Sequence, residues 1–259
     1  MKNISALIVA HNEEKNLPLC LASLNDINEI VLVLDKTTDN SRSIAKNYNC
    51  KIHEGSWNNE GKRRNFGISK CSNNWILEID SDERANIDLV RESQEKINTL
   101  KENTDGYFLV PFVNFVGSKR IRYGWGASWG VTHKPCLFHK NSKVWGSEPI
   151  HPSLKLGKKL GTLDNSINHY IDKNISDMIA RLDRYSALKA VEIRESTNKI
   201  PSLAITIRRS ITRFWKCYVS RKGYKEGKWG FIIALFAALF ILLSYLKADL
   251  EDDNNNPKS

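Results

Sequence analysis

Residues 75–85 read WILEIDSDERA, a short apolar run that stops on acid. Trp75, Ile76, Leu77 and Ile79 have the length and continuity of a strand buried on both faces. Asp80 and Asp82 follow one residue apart, and Glu83 and Arg84 come next. Carboxylates crowded beside a core are costly unless a cation compensates them. A divalent metal ion and a solvated turn each account for such a knot.

The same arrangement recurs outward from this stretch. Residues 4–10, ISALIVA, form an apolar run of strand length that ends on His11, Asn12, Glu13 and Glu14. Helical spacing covers 16–24. Residues 29–34, EIVLVL, give a second buried strand that ends on a polar loop from Asp35 to Asp39, and 41–47 reads as the next helix. A short third strand at 51–54 precedes GKRRNFGIS at 61–69, a loop running into a helix. Strand, helix, strand, helix, strand implies right-handed crossovers and an open, mostly parallel sheet. Ligands bind such sheets at the carboxyl ends of the strands. The clusters His11 to Glu14, Asp35 to Asp39 and Asp80 to Arg84 all lie at those ends. Unrelated solvated loops would have no reason to share one edge.

Downstream, 88–102 predicts a charged amphipathic helix, 106–115 a strand bent or edged by Pro111, and 135–139 with 143–145 a strand pair. Trp125 and Trp129 suit a sugar-stacking wall or core packing equally well. A polar loop holding Glu148 and His151 follows, and 175–195 shows helix periodicity through Met178, Leu182, Tyr185 and Leu188.

The chain has 259 residues, 41% hydrophobic and 26% charged, which suits one α/β domain with an appendage. Its net charge of +10 calls for an anionic partner. Five cysteines (Cys20, Cys50, Cys71, Cys136, Cys217) lie far apart without CxxC pairing. Free thiols in a reducing compartment fit that pattern. The N-terminal MKNISALIVAHNEE reads as a first strand, not a signal peptide.

Between residues 199 and 228 there are nine Lys or Arg and one acidic residue, Glu226. The eighteen residues 229–246 then carry no charge. As a helix they would measure about 27 Å, close to the bilayer's hydrocarbon thickness. Trp229 and Tyr245 sit near the two ends, as interfacial aromatics do. A nucleic-acid surface would use only the cations. An anionic membrane surface uses both features, so no nucleic-acid partner is expected. The stretch could span the bilayer, lie in its plane or pack as a buried helix.

ALIVAHNEEKNL, LVLDKTTDNS, GKRRNFGI and WILEIDSDER, in that order, resemble the nucleotide-sugar half of a family 2 glycosyltransferase. GWG, KPCLFHKNSKVWGSEPIH, RLDRYSALKA and the basic-then-apolar end are similar to the subgroup of β-1,4-glucosyltransferases that build the lipopolysaccharide inner core. The resemblance covers residues 1–246. It implies a GT-A fold, an α/β class with a Rossmann-like open sheet, over 1–170. A helical basic extension over 171–228, an apolar membrane segment over 229–246 and a polar tail over 247–259 complete the expected organisation.

The resemblance also implies roles. His11, Asn12 and Glu13 would line the nucleotide, Asp35 and Asp39 would approach uracil and ribose, and Arg64 would meet uridine or its phosphates. Asp80 and Asp82 match the DxD-type motif that meets Mg²⁺ or Mn²⁺ and the donor ribose. A metal bridging a nucleoside diphosphate stabilises the leaving group's charge and takes only one or two carboxylates. An inverting transfer also needs a base for the acceptor hydroxyl. The subgroup carries Gly and then His-Glu after its tryptophan strand, whereas VWGSEPIHPSL places Pro152 after His151 and a glutamate at Glu148. Glu148 and His151 therefore both remain candidates.

The implied activity is metal-dependent transfer of a hexose, glucose from a uridine diphosphate donor, to a lipid-linked saccharide such as the lipopolysaccharide core. The implied place is the cytoplasmic face of the inner membrane. A polyprenyl-phosphate acceptor, and a membrane-tethered binding protein with little catalysis, are the alternatives.

Overall fold

The computed structural model describes residues 2–125, 130–148, 152–196 and 201–251. The chain divides into two compact units. One holds Met1–Val113 with Thr132–His169, and the other Asn114–Val131 with Tyr170–Ser259.

In the first unit, β1 (Ile4–Ala10), β2 (Glu29–Asp35), β3 (Lys51–Gly55) and β4 (Trp75–Glu78) form a parallel set in the order β3-β2-β1-β4. Every residue of β1, β2 and β4 is buried, which is why these segments read as unbroken apolar runs rather than alternating ones. Helices α1 (Leu17–Ala22), α2 (Ser41–Lys46) and α3 (Glu60–Lys70) make the crossovers. Asn59 caps α3 by accepting from Lys62 N at 2.9 Å. The apolar run extends one residue past β4, where Ile79 N donates to Leu7 O at 3.0 Å. The acid knot itself contains a strand that the sequence reading took for loop, β5 (Glu83–Ala85), and α4 (Ile87–Thr99) follows it.

The sheet continues with antiparallel members and is therefore mixed. β6 (Tyr107–Val116) leads into β7 (Lys119–Ile121), and β8 (His133–His139) pairs antiparallel with both β4 and β6. β9 (Lys143–Trp145) pairs with β10 (Leu154–Leu156). β11 (Lys159–Thr162) runs parallel to β6. β12 (Ile167–Asp172) sets Ile167, Asn168 and His169 opposite Ala85, Arg84 and Glu83.

The second unit contains α5 (Ile175–Glu195), α6 (Leu203–Trp215) and α7 (Lys228–Leu250). The α5 boundaries match the periodicity of the sequence. Among the described residues α7 alone is long and apolar enough to cross a membrane. It packs against both α5 and α6, and no residue from Ile232 to Ala248 is exposed. Ile233 and Phe236 share a core with Met178, Leu182 and Trp125. Trp125 is thus a core residue, with its indole N–H donating to Ile121 O at 3.0 Å. Trp129 lies outside the described residues. All five cysteines are free.

The base of the parallel sheet is closed by a buried carboxylate. Glu29 accepts from Lys51 Nζ at 2.6 Å, from Ser72 N at 2.9 Å and from the Ser5 hydroxyl. Burial alone would raise this carboxyl, but the ammonium and the hydroxyls outweigh it and hold it at about 2. Its stabilisation is therefore complete above its ordinary value of 4.5 and is lost as pH falls through about 2. Glu29→Gln is expected to cost about 1–3 kcal/mol at pH 7. In urea unfolding the gap between variant and wild type should close as the pH is lowered through that window.

Candidate functional site

The polar ends of β1 and β2 are tied to each other. Asn12 adopts the left-handed conformation, φ 54°, which asparagine tolerates better than most residues. From there its side-chain oxygen accepts from Thr38 N at 2.8 Å. His11 Nδ1 lies 2.7 Å from Asp35 O, and Glu13 N donates to Ser41 Oγ at 3.0 Å. Asp39 accepts from Glu14 N at 2.9 Å and Ser41 N at 3.0 Å. Burial works to raise Asp39, but these donors prevail and lower it. Asp35 accepts from Trp57 N at 3.0 Å and pairs with Arg63 at 2.8 Å. The structure thus gathers His11, Asn12, Glu13, Asp35 and Asp39 on one edge. Glu13 reaches toward the acid knot: burial raises its carboxyl, Asn16 lowers it and Asp82 raises it further.

The knot is compensated by the protein's own cations. Arg64, expected to meet uridine or its phosphates, turns its buried guanidinium onto three carboxylates. These are Glu60 at 2.9 Å, Glu78 at 2.5 Å and Asp80 at 3.1 Å. It also stacks 5.1 Å from the Trp145 ring centroid. Lys143 holds the other oxygen of Glu78 at 2.6 Å. Lys134 lies 3.3 Å from Asp80 and 2.6 Å from Glu83. Both oxygens of Asp80 are thereby committed. Burial opposes ionisation at Asp80, yet Arg64 and Lys134 drive its carboxyl far below the usual range. Glu83 moves the other way: burial and the Asp80 charge raise it to about 7. These side chains border a cavity of about 190 Å³ that also touches Cys136, Trp145 and Leu154.

Asp82 faces a different set. His169 Nε2, carried in on β12, lies 3.5 Å from Asp82 Oδ2. Its ring stands edge-on to Phe112 at 5.9 Å. One donor atom each from Asp82, Glu83 and His169 falls within a 4.8 Å cluster. Two carboxylates and an imidazole fit a divalent ion, and the nitrogen favours a transition ion such as Mn²⁺ over oxygen-loving Mg²⁺. The sequence reads His169 as structural, because no second ligand stands at metal-binding spacing from it, and gives Lys134 and Lys143 no role. His169 is half-buried on β12, opposite Glu83 of β5, and only that long-range pairing brings it to the acid knot.

Glu148 is exposed. It accepts from Ser153 N at 3.0 Å and from Ser153 Oγ at 2.7 Å, and that hydroxyl is the main cause of its lowered carboxyl. Its backbone carbonyl accepts from Asn59 Nδ2. A methyl group at Gly61 would collide with the carbonyl of Gly146, so the start of α3 and the 146–148 turn sit in direct contact. His151, the second candidate base, lies outside the described residues.

The family model "Glycosyl transferase family 2" matches residues 5–159, more than half of the chain. A lipopolysaccharide core biosynthesis glycosyltransferase, LpsC of Rhizobium meliloti, is 24% identical over 258 residues, covering 94% of this chain and 91% of that protein. An uncharacterized glycosyltransferase of Rickettsia felis is 24% identical, covering 98% and 93%. A crystal structure of S. aureus TarS 1–349 in complex with UDP-GlcNAc superposes with a TM-score of 0.52 at 16% identity, covering 93% and 82%. That likeness establishes the fold: the mixed open sheet with its helices is GT-A.

Removing one member of a buried ion network leaves its partners uncompensated, at a cost of about 3–5 kcal/mol. Arg64→Ala should lose stability of that order in chemical denaturation. Arg64→Lys should recover part of it, since an ammonium restores charge but not the fork across Glu78 and Asp80.

Proposed function

From the premise that the chain belongs to glycosyl transferase family 2, we propose that it transfers a hexose, glucose from UDP-glucose, with inversion onto a lipid-linked saccharide of the lipopolysaccharide-core class. The observation that carries this reading is the shared edge. The His11–Glu13 turn, the Asp35–Asp39 loop and the Asp80–Asp82 knot all close the carboxyl ends of adjacent parallel strands. The likeness to LpsC supports the acceptor class.

In this reading His11, Asn12, Glu13, Asp35 and Asp39 line the nucleoside. Asp80 faces the donor ribose with its charge fixed by Arg64 and Lys134, so Arg64 positions the donor through Asp80. Asp82 holds Mg²⁺ or Mn²⁺ with help from His169 and Glu83. The chemistry such an ion supplies when bound is charge neutralisation on the departing diphosphate. Glu148 takes the proton of the acceptor hydroxyl, and its contact with the start of α3 keeps the carboxylate at the sheet's working edge. The reaction is placed at the cytoplasmic face of the inner membrane, against anionic lipid.

Donor binding and turnover across a nucleotide-sugar panel, with and without Mn²⁺, test the proposal. Asp82→Ala and His169→Gln should each weaken Mn²⁺-dependent donor binding by about 10- to 100-fold. Glu148→Gln should bind donor normally and turn over about 10²–10⁴-fold more slowly. Absence of nucleotide-sugar binding, or indifference to Asp82→Ala, would sink the reading.

The base acts ionised, so its pKa sets the acid limb of the rate profile. Ser153 holds the Glu148 carboxyl below its ordinary value. Ser153→Ala should therefore move the acid limb of kcat/KM upward in pH while leaving the plateau close to wild type. An unmoved limb would place the base elsewhere.

A further inference from the structure

Helix α6 is built inside out. Its inward residues are the small polar Thr206 and Ser210, both buried. Phe214 packs inward, but four of its large apolar residues face outward: Leu203 is 46% exposed, Ile207 43%, Ile211 65% and Trp215 62%. These four recur every fourth position and so form one stripe along the helix. Beside the stripe runs a cationic arc of Arg208, Arg209, Arg213 and Lys216, with no acidic residue anywhere in α6. With Thr212 and Ile241 these four line a surface concavity of about 480 Å³. An aliphatic and tryptophan stripe flanked by cations is the composition of a helix lying in a membrane interface.

Helix α7 has the opposite character. Ile233, Ala234, Phe236, Ala237 and Ala238 are buried against neighbouring helices. At its far end Lys247 pairs with Asp183 of α5 at 2.7 Å, and Arg194 of α5 donates to the carbonyls of Lys247 and Glu251, each at 3.0 Å. A bilayer-spanning α7 would have to carry α5 with it, including Arg181, Asp183, Arg184, Lys189 and Glu192. Charges at such depth are strongly disfavoured.

We propose that α6 is an in-plane anchor whose outer face docks on an anionic phospholipid surface, while α7 remains inside the protein as a core helix. The charge complementarity of the arc selects anionic headgroups, and the concavity offers guanidinium groups to a phosphodiester. A nucleic acid would use the arc and leave the apolar stripe in water. The inference rests on the membrane location proposed above but not on the transfer reaction.

The test is flotation of the full chain with phosphatidylcholine vesicles and with vesicles of equal parts phosphatidylcholine and phosphatidylglycerol. Binding should favour the anionic vesicles by about tenfold or more and weaken with salt. Arg208→Glu with Arg209→Glu should abolish the anionic preference. Ile211→Asn with Trp215→Ser should weaken binding about 30-fold or more. All four side chains lie on the exposed surface, so the variants should keep the wild-type circular dichroism. A tag placed after residue 259 should stay open to protease added outside the vesicles. A protected tag would show that α7 crosses the bilayer and overturn the proposal. Vesicle binding unchanged by both double variants would overturn it too, as would tighter binding to single-stranded RNA than to anionic vesicles. So would a solution dimer dispersed by Ile211→Asn without any vesicle binding. Nucleotide-sugar binding measured on the same preparations separates the two readings: its loss with flotation intact removes the transferase and leaves the anchor.

Discussion

The guanidinium of Arg64 is the contact on which the working edge depends. The last residue of β4 is a buried glutamate, Glu78, which follows three buried apolar residues, Trp75, Ile76 and Leu77. A carboxylate there is tolerable only if it is paired on both oxygens. Arg64 takes one and Lys143 the other, which ties α3, β4 and β9 by charge. The same guanidinium reaches Asp80. Well-packed apolar residues would match or exceed such a network in stability, so its return is geometric: it fixes where β4 ends and how the acid knot leaves it.

That geometry sets two neighbouring carboxyls apart. Asp80, gripped by two cations, stays ionised at any pH the protein meets. Glu83, buried beside that permanent charge, titrates near 7. Pairs of acids pushed in opposite directions are a mark of working sites. Positive charge arriving beside Asp82 and His169 would pull Glu83 down and complete its ionisation. The acid knot is thus balanced in two parts: Asp80 by Arg64 and Lys134, with Lys134 shared by Glu83, and Asp82 by His169.

Much of this was legible in the sequence because burial on both faces leaves a continuous apolar run, and β1, β2 and β4 have one. The polar clusters could be assigned to one edge because parallel strands all point the same way. What was hidden depends on partners far along the chain. Strand β5 has only three residues, two of them charged, and forms because Ala85, Arg84 and Glu83 pair with β12. Arg64 and its neighbour Arg63 look alike in the sequence. Helix phase sends one to Asp35 and the other to Glu78 and Asp80. For α7, uncharged composition cannot tell whether lipid or protein covers the helix. The informative residues were its small ones: a methyl group at Gly230 would collide with the carbonyl of Gly223, and Ala234, Ala237 and Ala248 are buried where neighbours approach closely.

Two amphipathic helices of equal length make the last point. Helix α4 buries Leu89, Val90 and Ile97 and turns most of its charges to water, as the hydrophobic effect requires of a helix on a soluble core; its buried Glu92 is satisfied by Asp164 and Asn165. Helix α6 obeys the same physics with the sign reversed. Its core side is already supplied with apolar surface by α7, so Phe214 and the small polar Thr206 and Ser210 suffice there. Leaving Leu203, Ile207, Ile211 and Trp215 in water forgoes roughly 1.5–3 kcal/mol for each aliphatic side chain that could have been buried. A sequence that gives up that much at four regularly spaced positions, and surrounds them with arginine and lysine but no acid, is matched to an environment that is apolar a few ångströms below a negatively charged plane.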